Sequence, residues 1–414
     1  MMILGRFAAR ISFLSLASYL LILLTLFLNI PYDYTLLLSD GLIHLDHNTL
    51  ASFLFLGFIS SFIILKSSDI GWEFHLMLLA GLTGSFYLLS SYDWVITAIA
   101  FEFLNLSTYL IISLYRGTET ATLKYLLLSA FFTTLFLLSI SMFYALTGTT
   151  HYDDLFASLP FIDPSLSIIP QLLLLLTISF KLGLFPTHLW VPDVYDGLPT
   201  SLLLWMGTIP KATILLWLSQ ILPLFSLVTP YMLAIGVISF VLAAIALASQ
   251  YRLRRFLAYS SIGHLGIVLT AFAIADYHAY GYYIALYFIA TLSMLLILSE
   301  IPSVDTLKGL SILTLHKPLA FAFLFAILTM AAVPPFAGFY AKLLVLVSLV
   351  DIKLLAIAVL LILTSLRSAA YYLKVFQITF FQNTPSYGSL SVQYPYLIAI
   401  TTFILLPTTQ LLFN

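Results

Sequence analysis

The chain contains no cysteine, which excludes disulfides, thiolate metal sites and cysteine-ligated iron–sulfur clusters. It has little charge. Asp, Glu, Lys and Arg make up 8% of its 414 residues, whereas a soluble globular domain carries about 25%. Neither sign is in excess: the formal net charge is −1, so no basic surface is available to meet nucleic-acid phosphates. The alternation of apolar and polar residues that marks a transmembrane β-barrel is missing too, because the apolar runs are continuous. What is abundant is hydrophobic side chains, 62% of the total. A membrane helix takes about 20 such residues, so about thirteen spans and their short loops account for the chain. That leaves no room for a sizeable extramembrane domain.

Apolar length, with the charges, Pro and Gly that bound each run, predicts spans over 11–30, 49–66, 74–90, 94–114, 122–146, 166–190, 200–220, 228–249, 256–275, 279–299, 319–349, 354–375 and 394–413. The expected fold is therefore an all-α polytopic membrane protein. The first ten residues carry Arg6 and Arg10, but the apolar run that follows is long enough to span, which argues against a cleaved signal. The positive-inside rule tests the scheme. With the N-terminus inside, Arg6, Arg10, Lys66, Arg116, Lys124, Arg252, Arg254, Arg255, Lys308, Lys317 and Lys374 share one face, and Lys353 alone falls on the other. A missed or invented span would scramble this asymmetry.

Several ionisable residues fall inside the spans, where they are costly and usually functional. Glu102 lies nine residues past Asp93, which at a helix rise of ~1.5 Å places it about 13 Å deep. Lys211 lies nine residues before Gln220, Lys342 nine before Asp351, and His264 nine after Arg255; Lys181 lies twelve before Asp193. Five titratable groups on five helices thus share a depth near the membrane middle, the layout that a lateral proton or ion relay needs. Each also has a structural reading. Glu102 and Lys181 could form an ion pair that locks two helices, and His264 could be a neutral, hydrogen-bonded core residue. Lys124 begins its span and is either a solvated end or an uptake site. Arg367, seven residues from Lys374, can snorkel to the interface. The recurrence of mid-span lysine favours function.

Two spans are interrupted. Residues 180–192 read FKLGLFPTHLWVP, with Pro186 and Pro192, and residues 330–342 read MAAVPPFAGFYAK, with Pro334 and Pro335. Each break lies close to an intramembrane lysine. Discontinuous helices in corresponding positions of two halves point to a midplane ion site. They suggest two inverted five-helix repeats, 74–220 and 228–375, preceded by N-terminal helices over 1–66 and followed by a C-terminal helix over 394–413.

At these residues the chain resembles a known family. The segments FKLGLFPTHLWVPDVYDGLPT (180–200), IPKATIL (209–215), RRFLAYSSIGHLGIVL (254–269) and PPFAGFYAKLLVL (334–346) are similar to those of the antiporter-like subunits of NADH:quinone oxidoreductase, respiratory complex I. ATLKYLLLSAFFTTLFLLSISMFYALTGTT (121–150) fits the same family, and the resemblance covers about 70–410. PDVYDGLPT, together with Lys rather than Glu at 342, looks most like the subunit 2 (bacterial subunit N) branch. The resemblance implies roles: Glu102 as the first-half acidic residue, Lys181 as its partner, Lys211 as the connecting lysine, His264 as the central histidine and Lys342 as the terminal lysine. It implies no redox cofactor in this chain, with NADH, FMN, iron–sulfur clusters and ubiquinone held by partner subunits. It implies neighbouring antiporter-like subunits and lipids such as cardiolipin as partners. One N-terminal helix fewer than the family's fourteen is expected, which agrees with the N-in topology. A shortened subunit of this kind looks mitochondrial, of the inner membrane with the charged face toward the matrix; a bacterial or thylakoid membrane is the alternative.

The function expected is proton translocation coupled to NADH:ubiquinone oxidoreduction through Glu102, Lys181, Lys211, His264 and Lys342, with Lys124 as a candidate uptake residue. Two other readings stand beside it: a subunit of a cation/proton antiporter, and a structural membrane spacer.

Overall fold

In a bilayer core no water pairs with exposed N–H and C=O groups, so continuous apolar runs must satisfy their backbones internally as helices. The computed structural model describes residues 2–29, 36–38, 41–67, 71–115, 117–301 and 304–381. Arg116 and the expected span over 394–413 lie outside the described residues. In chain order the elements are α1 (Met2–Asn29), β1 (Leu36–Leu38), β2 (Ile43–Leu45), α2 (His47–Lys66), α3 (Trp72–Ser90), α4 (Trp94–Ser113), α5 (Glu119–Thr147), α6 (Tyr152–Ser158) and α7 (Pro164–Leu182). They continue with α8 (Trp190–Gly197), α9 (Thr200–Met206), α10 (Ile209–Leu218), α11 (Thr229–Leu247), α12 (Leu253–Ala273), α13 (Tyr277–Ser299), α14 (Lys317–Ala331), α15 (Ala337–Asp351) and α16 (Leu355–Phe381).

Among the described residues, 10 helical segments are long and apolar enough to cross a membrane. Several differences from the expected spans have identifiable causes. The span expected over 319–349 is two helices, α14 and α15, parted at Pro334 and Pro335, which have no N–H to donate. The span expected over 200–220 is one of these ten segments, Thr200–Leu218, and is interrupted inside, as α9 followed by α10. Pro210 cannot bond back to the carbonyl of Met206, so the ladder stops there and restarts at Ile209. Between α1 and α2, where only a linker was expected, β1 and β2 form an antiparallel hairpin with Leu36 opposite Leu45 and Leu38 opposite Ile43.

The acidic residues that bound the spans act as helix caps. Asp93 accepts a 2.7 Å hydrogen bond from the backbone N–H of Val95 at the start of α4. Asp276 accepts one of 2.9 Å from Ala279 at the start of α13, and Asp46 forms a reciprocal capping box with Thr49 ahead of α2.

The chain divides into two compact units, one of Met1–Lys181 with Trp205–Val228, the other of Leu182–Leu204 with Thr229–Asn414. In the first, an aromatic cluster forms the core. Trp94 stacks on Phe143, and the buried Tyr152 hydroxyl shares a 2.6 Å hydrogen bond with Thr97. In the second, α11 lies against α12 at a crossing made of glycines. A Cβ on Gly266 would stand 2.7 Å from the Gly236 carbonyl oxygen, so only glycine permits so close an approach.

Candidate functional site

Each of the two units buries titratable side chains of its own: Lys181 and Lys211 in the first, His264 and Lys342 in the second. Gly183, with φ +75°, closes α7 just beyond Lys181 in the left-handed conformation that glycine adopts without steric cost. Lys181 therefore sits in the last turn of its helix. Its side chain is buried, and its Nζ donates to Asn105 Oδ1 at 2.5 Å and to Ser129 Oγ at 2.6 Å. The same Nζ lies 5.2 Å from the Phe101 ring, 5.4 Å from Tyr125 and 5.8 Å from Phe180. Ring faces attract a cation, and more strongly where water is excluded. Asn105 stands one helical turn after Glu102 on α4, while Tyr125 and Ser129 stand one turn apart on α5. Asn105 also donates through Nδ2 to Thr133 Oγ1 at 3.4 Å, which steadies its amide.

Glu102 is half-buried and acts electrostatically on Lys181. The hydrogen bonds of the ammonium nevertheless go to neutral acceptors. This arrangement has chemical consequences. Asn105 Oδ1 can only accept, whereas the Ser129 hydroxyl can accept or donate. The lysine can thus be held as an ammonium that donates to both, or as an amine that receives a hydrogen bond from Ser129. The pocket accommodates both protonation states without losing all its partners.

Lys211, in the first turn of α10, is among the most deeply buried side chains, 1% exposed. Two residues on, Thr213 ties the helix to α3 through a 3.0 Å hydrogen bond to Ser85. Lys124 is placed differently. It is exposed on α5, next in sequence to Tyr125, whose ring lies against Lys181.

The second unit brings His264 and Lys342 together. Both are 7% exposed, and they interact electrostatically. Lys342 lies on α15 with its Nζ 5.6 Å from the Phe240 ring of α11. His264, on α12, is hydrogen-bonded at both ring nitrogens. Nδ1 is 3.0 Å from the Tyr283 hydroxyl of α13, and Nε2 is 3.3 Å from the Tyr372 hydroxyl of α16. The imidazole stacks on Tyr287, with centroids 5.4 Å apart and planes at 27°. At the start of α12 an ionic cluster holds the short helix α8. Asp196 Oδ2 accepts from Arg252 at 2.6 Å and from Arg255 at 3.0 Å, and Arg255 also reaches Asp193 at 3.4 Å. His188 lies in the break itself, with its Nδ1 buried. Arg367 is exposed on α16.

The sequence reading missed Asn105, Ser129 and the three rings around Lys181, and also Tyr283 and Tyr372 around His264. A weak signal existed for some of them: Asn105 follows Glu102 at helical spacing, as Ser129 follows Tyr125.

These features define a polytopic α-helical membrane protein with basic side chains buried in two interrupted helical units. Comparison with known proteins gives the family. The profile described as NADH:quinone oxidoreductase/Mrp antiporter, TM, matches residues 91–367, a stretch that contains Glu102, Lys124, Lys181, Lys211, His264 and Lys342. The NADH-ubiquinone oxidoreductase chain 2 of Hyaloraphidium curvatum is 55% identical over 416 residues, covering 100% of this chain and 97% of its own. The NADH-quinone oxidoreductase subunit N of Ruthia magnifica subsp. Calyptogena magnifica is 31% identical over 78% of this chain and 72% of its own. Among solved structures, a chain of respiratory complex I from Thermus thermophilus with bound aureothin superposes with a TM-score of 0.87 at 28% identity, over 99% of this chain and 92% of that one. The chain belongs to the NADH:quinone oxidoreductase/Mrp antiporter membrane family.

Proposed function

We infer that the protein is a proton-translocating membrane-arm subunit of respiratory complex I, in the position of chain 2, known in bacteria as subunit N. The observation that carries this reading is similarity from end to end with an NADH-ubiquinone oxidoreductase chain 2 in a chain that buries Lys181, Lys211, Lys342 and His264 within its helices. The redox chemistry, with NADH, FMN, iron–sulfur clusters and ubiquinone, belongs to partner subunits. Other antiporter-like subunits are its neighbours in the membrane arm. The eukaryotic relative supports the mitochondrial inner membrane as its location. The Lys and Arg asymmetry supports an N-terminus on the matrix side.

In this reading Glu102, Lys181 and Lys211 are the proton stations of the first unit, and His264 and Lys342 those of the second. Lys124, exposed near the start of α5, is the candidate uptake residue. The Glu102 carboxylate stabilises a charged Lys181, and its protonation or movement removes that stabilisation and releases a proton onward. Quinone reduction elsewhere in the complex drives the cycle through electrostatic coupling between such sites. The two inverted five-helix repeats, each with its broken helix, supply the half-paths.

Isolation of the protein with its natural partners tests the assignment. Co-purification with flavin- and iron–sulfur-containing subunits is the expected result. Recovery without them, combined with sodium-dependent transport by the purified chain, would favour the cation/proton antiporter reading that the family also contains.

A further inference from the structure

His264 is not the end of its hydrogen-bond chain. The Tyr372 hydroxyl, 3.3 Å from His264 Nε2, also shares a 2.5 Å hydrogen bond with Ser260 Oγ. Ser260 lies one helical turn before His264 on α12, about 6 Å nearer the helix start. That start is where Arg252, Arg254 and Arg255 are found. Both hydroxyls are buried: Tyr372 is 2% exposed and Ser260 4%. Beyond them Phe256, another turn toward the arginines, sets its ring edge-on to Tyr372 at 5.4 Å. A polar track thus leads from the imidazole toward the arginine-bearing face and stops at an aromatic ring. The other nitrogen of the same imidazole is engaged by Tyr283, so His264 has a hydroxyl at each end.

We propose that Tyr372 and Ser260 form a proton branch that joins His264 to the arginine-bearing face of the second unit, with Phe256 as the plug that separates its end from water. This inference rests on the reading of His264 as a proton station. The transfer balances without any redox partner. A hydronium ion admitted when the Phe256 ring swings aside gives a proton to Ser260 Oγ and becomes water, and the Ser260 O–H proton passes to the Tyr372 oxygen. The Tyr372 O–H proton passes to His264 Nε2, where a new N–H bond forms. Each hydroxyl gains one proton and loses one, and a His264 that began neutral is left doubly protonated. A hydroxyl can both accept and donate, which is what a through-going step requires and what a phenyl ring or a methyl group cannot supply.

The test uses the assembled complex carrying Tyr372→Phe, which keeps the ring against Phe256 and removes only the hydroxyl. The expected result is normal assembly with NADH-driven proton translocation lowered about tenfold, the rate equivalent of one lost strong hydrogen bond. An increased solvent deuterium isotope effect on the remaining turnover is also expected, a readout that mere loosening of packing would not move. Ser260→Ala should give the same phenotype, and the double variant should be no worse than either single one, because the two groups act in series. If Tyr372→Phe does not assemble, Ser260→Ala is read by the same criteria. His264→Ala separates the two levels of the argument. Lost translocation in His264→Ala with wild-type translocation in Tyr372→Phe overturns the branch alone. Wild-type translocation in assembled His264→Ala overturns the station itself and the branch with it.

Discussion

Lys181 directs its ammonium to Asn105, not to the acidic Glu102 one turn earlier on the same helix. The buried cation is held by a neutral amide, a serine hydroxyl and three aromatic rings, with the carboxylate acting at longer range. A direct ion pair would fix the proton on the lysine. A neutral cradle leaves it transferable.

Asn105→Ala should therefore disturb the site nearly as much as a change at Glu102. Loss of the amide leaves a buried donor one partner short, at a cost of about 1–3 kcal/mol. The expected outcome is a fall in coupled turnover of about tenfold to a hundredfold, measured as NADH-driven proton uptake in membrane vesicles. Turnover equal to wild type in the assembled variant would show that the amide is incidental.

The ionic cluster at the start of α12 makes a different prediction. Asp196 bridges Arg252 and Arg255, but Arg252 is 64% exposed and Arg255 41%, so solvent screens much of the attraction. Asp196→Asn should cost no more than about 1 kcal/mol of stability. Its effect should be local. Amide hydrogen exchange over residues 190–197 should quicken, while exchange elsewhere in the second unit stays unchanged.

The glycine crossing of α11 and α12 leaves no such tolerance. In Gly266→Ala the new methyl group would stand 2.7 Å from the Gly236 carbonyl oxygen. Overpacking of this kind costs about 1–3 kcal/mol, and the yield of assembled complex should fall accordingly. Gly281 on α13 has nothing within 4 Å of a built Cβ. Gly281→Ala should therefore be neutral or stabilising by up to about 1 kcal/mol. Thermal unfolding of the two variants side by side checks the contrast.

The parts of this architecture that were legible in the sequence depend on local patterns. Apolar run length marks most of the helices, and Pro186, Pro334 and Pro335 mark the two breaks, because a missing N–H acts where it stands. Charge in an apolar run likewise exposed Glu102, Lys181, Lys211, His264 and Lys342 as unusual. The surroundings of those groups were not legible. Asn105, Ser129 and Phe180 meet at Lys181 from α4, α5 and α7, and Tyr283 and Tyr372 meet His264 from α13 and α16. Each looks like an ordinary residue of its own helix, and only the packing of the helices brings them together. The hairpin of β1 and β2 escaped for another reason: its strands are three residues long and carry no alternation to detect.

The account stands or falls on Lys181 as a proton station. The most direct measurement is the number of protons translocated per NADH oxidised by the assembled complex carrying Lys181→Met, which retains the apolar stem and removes the charge. A clear loss of translocation with the complex intact is the result the account predicts. A wild-type ratio in that same complex would contradict it.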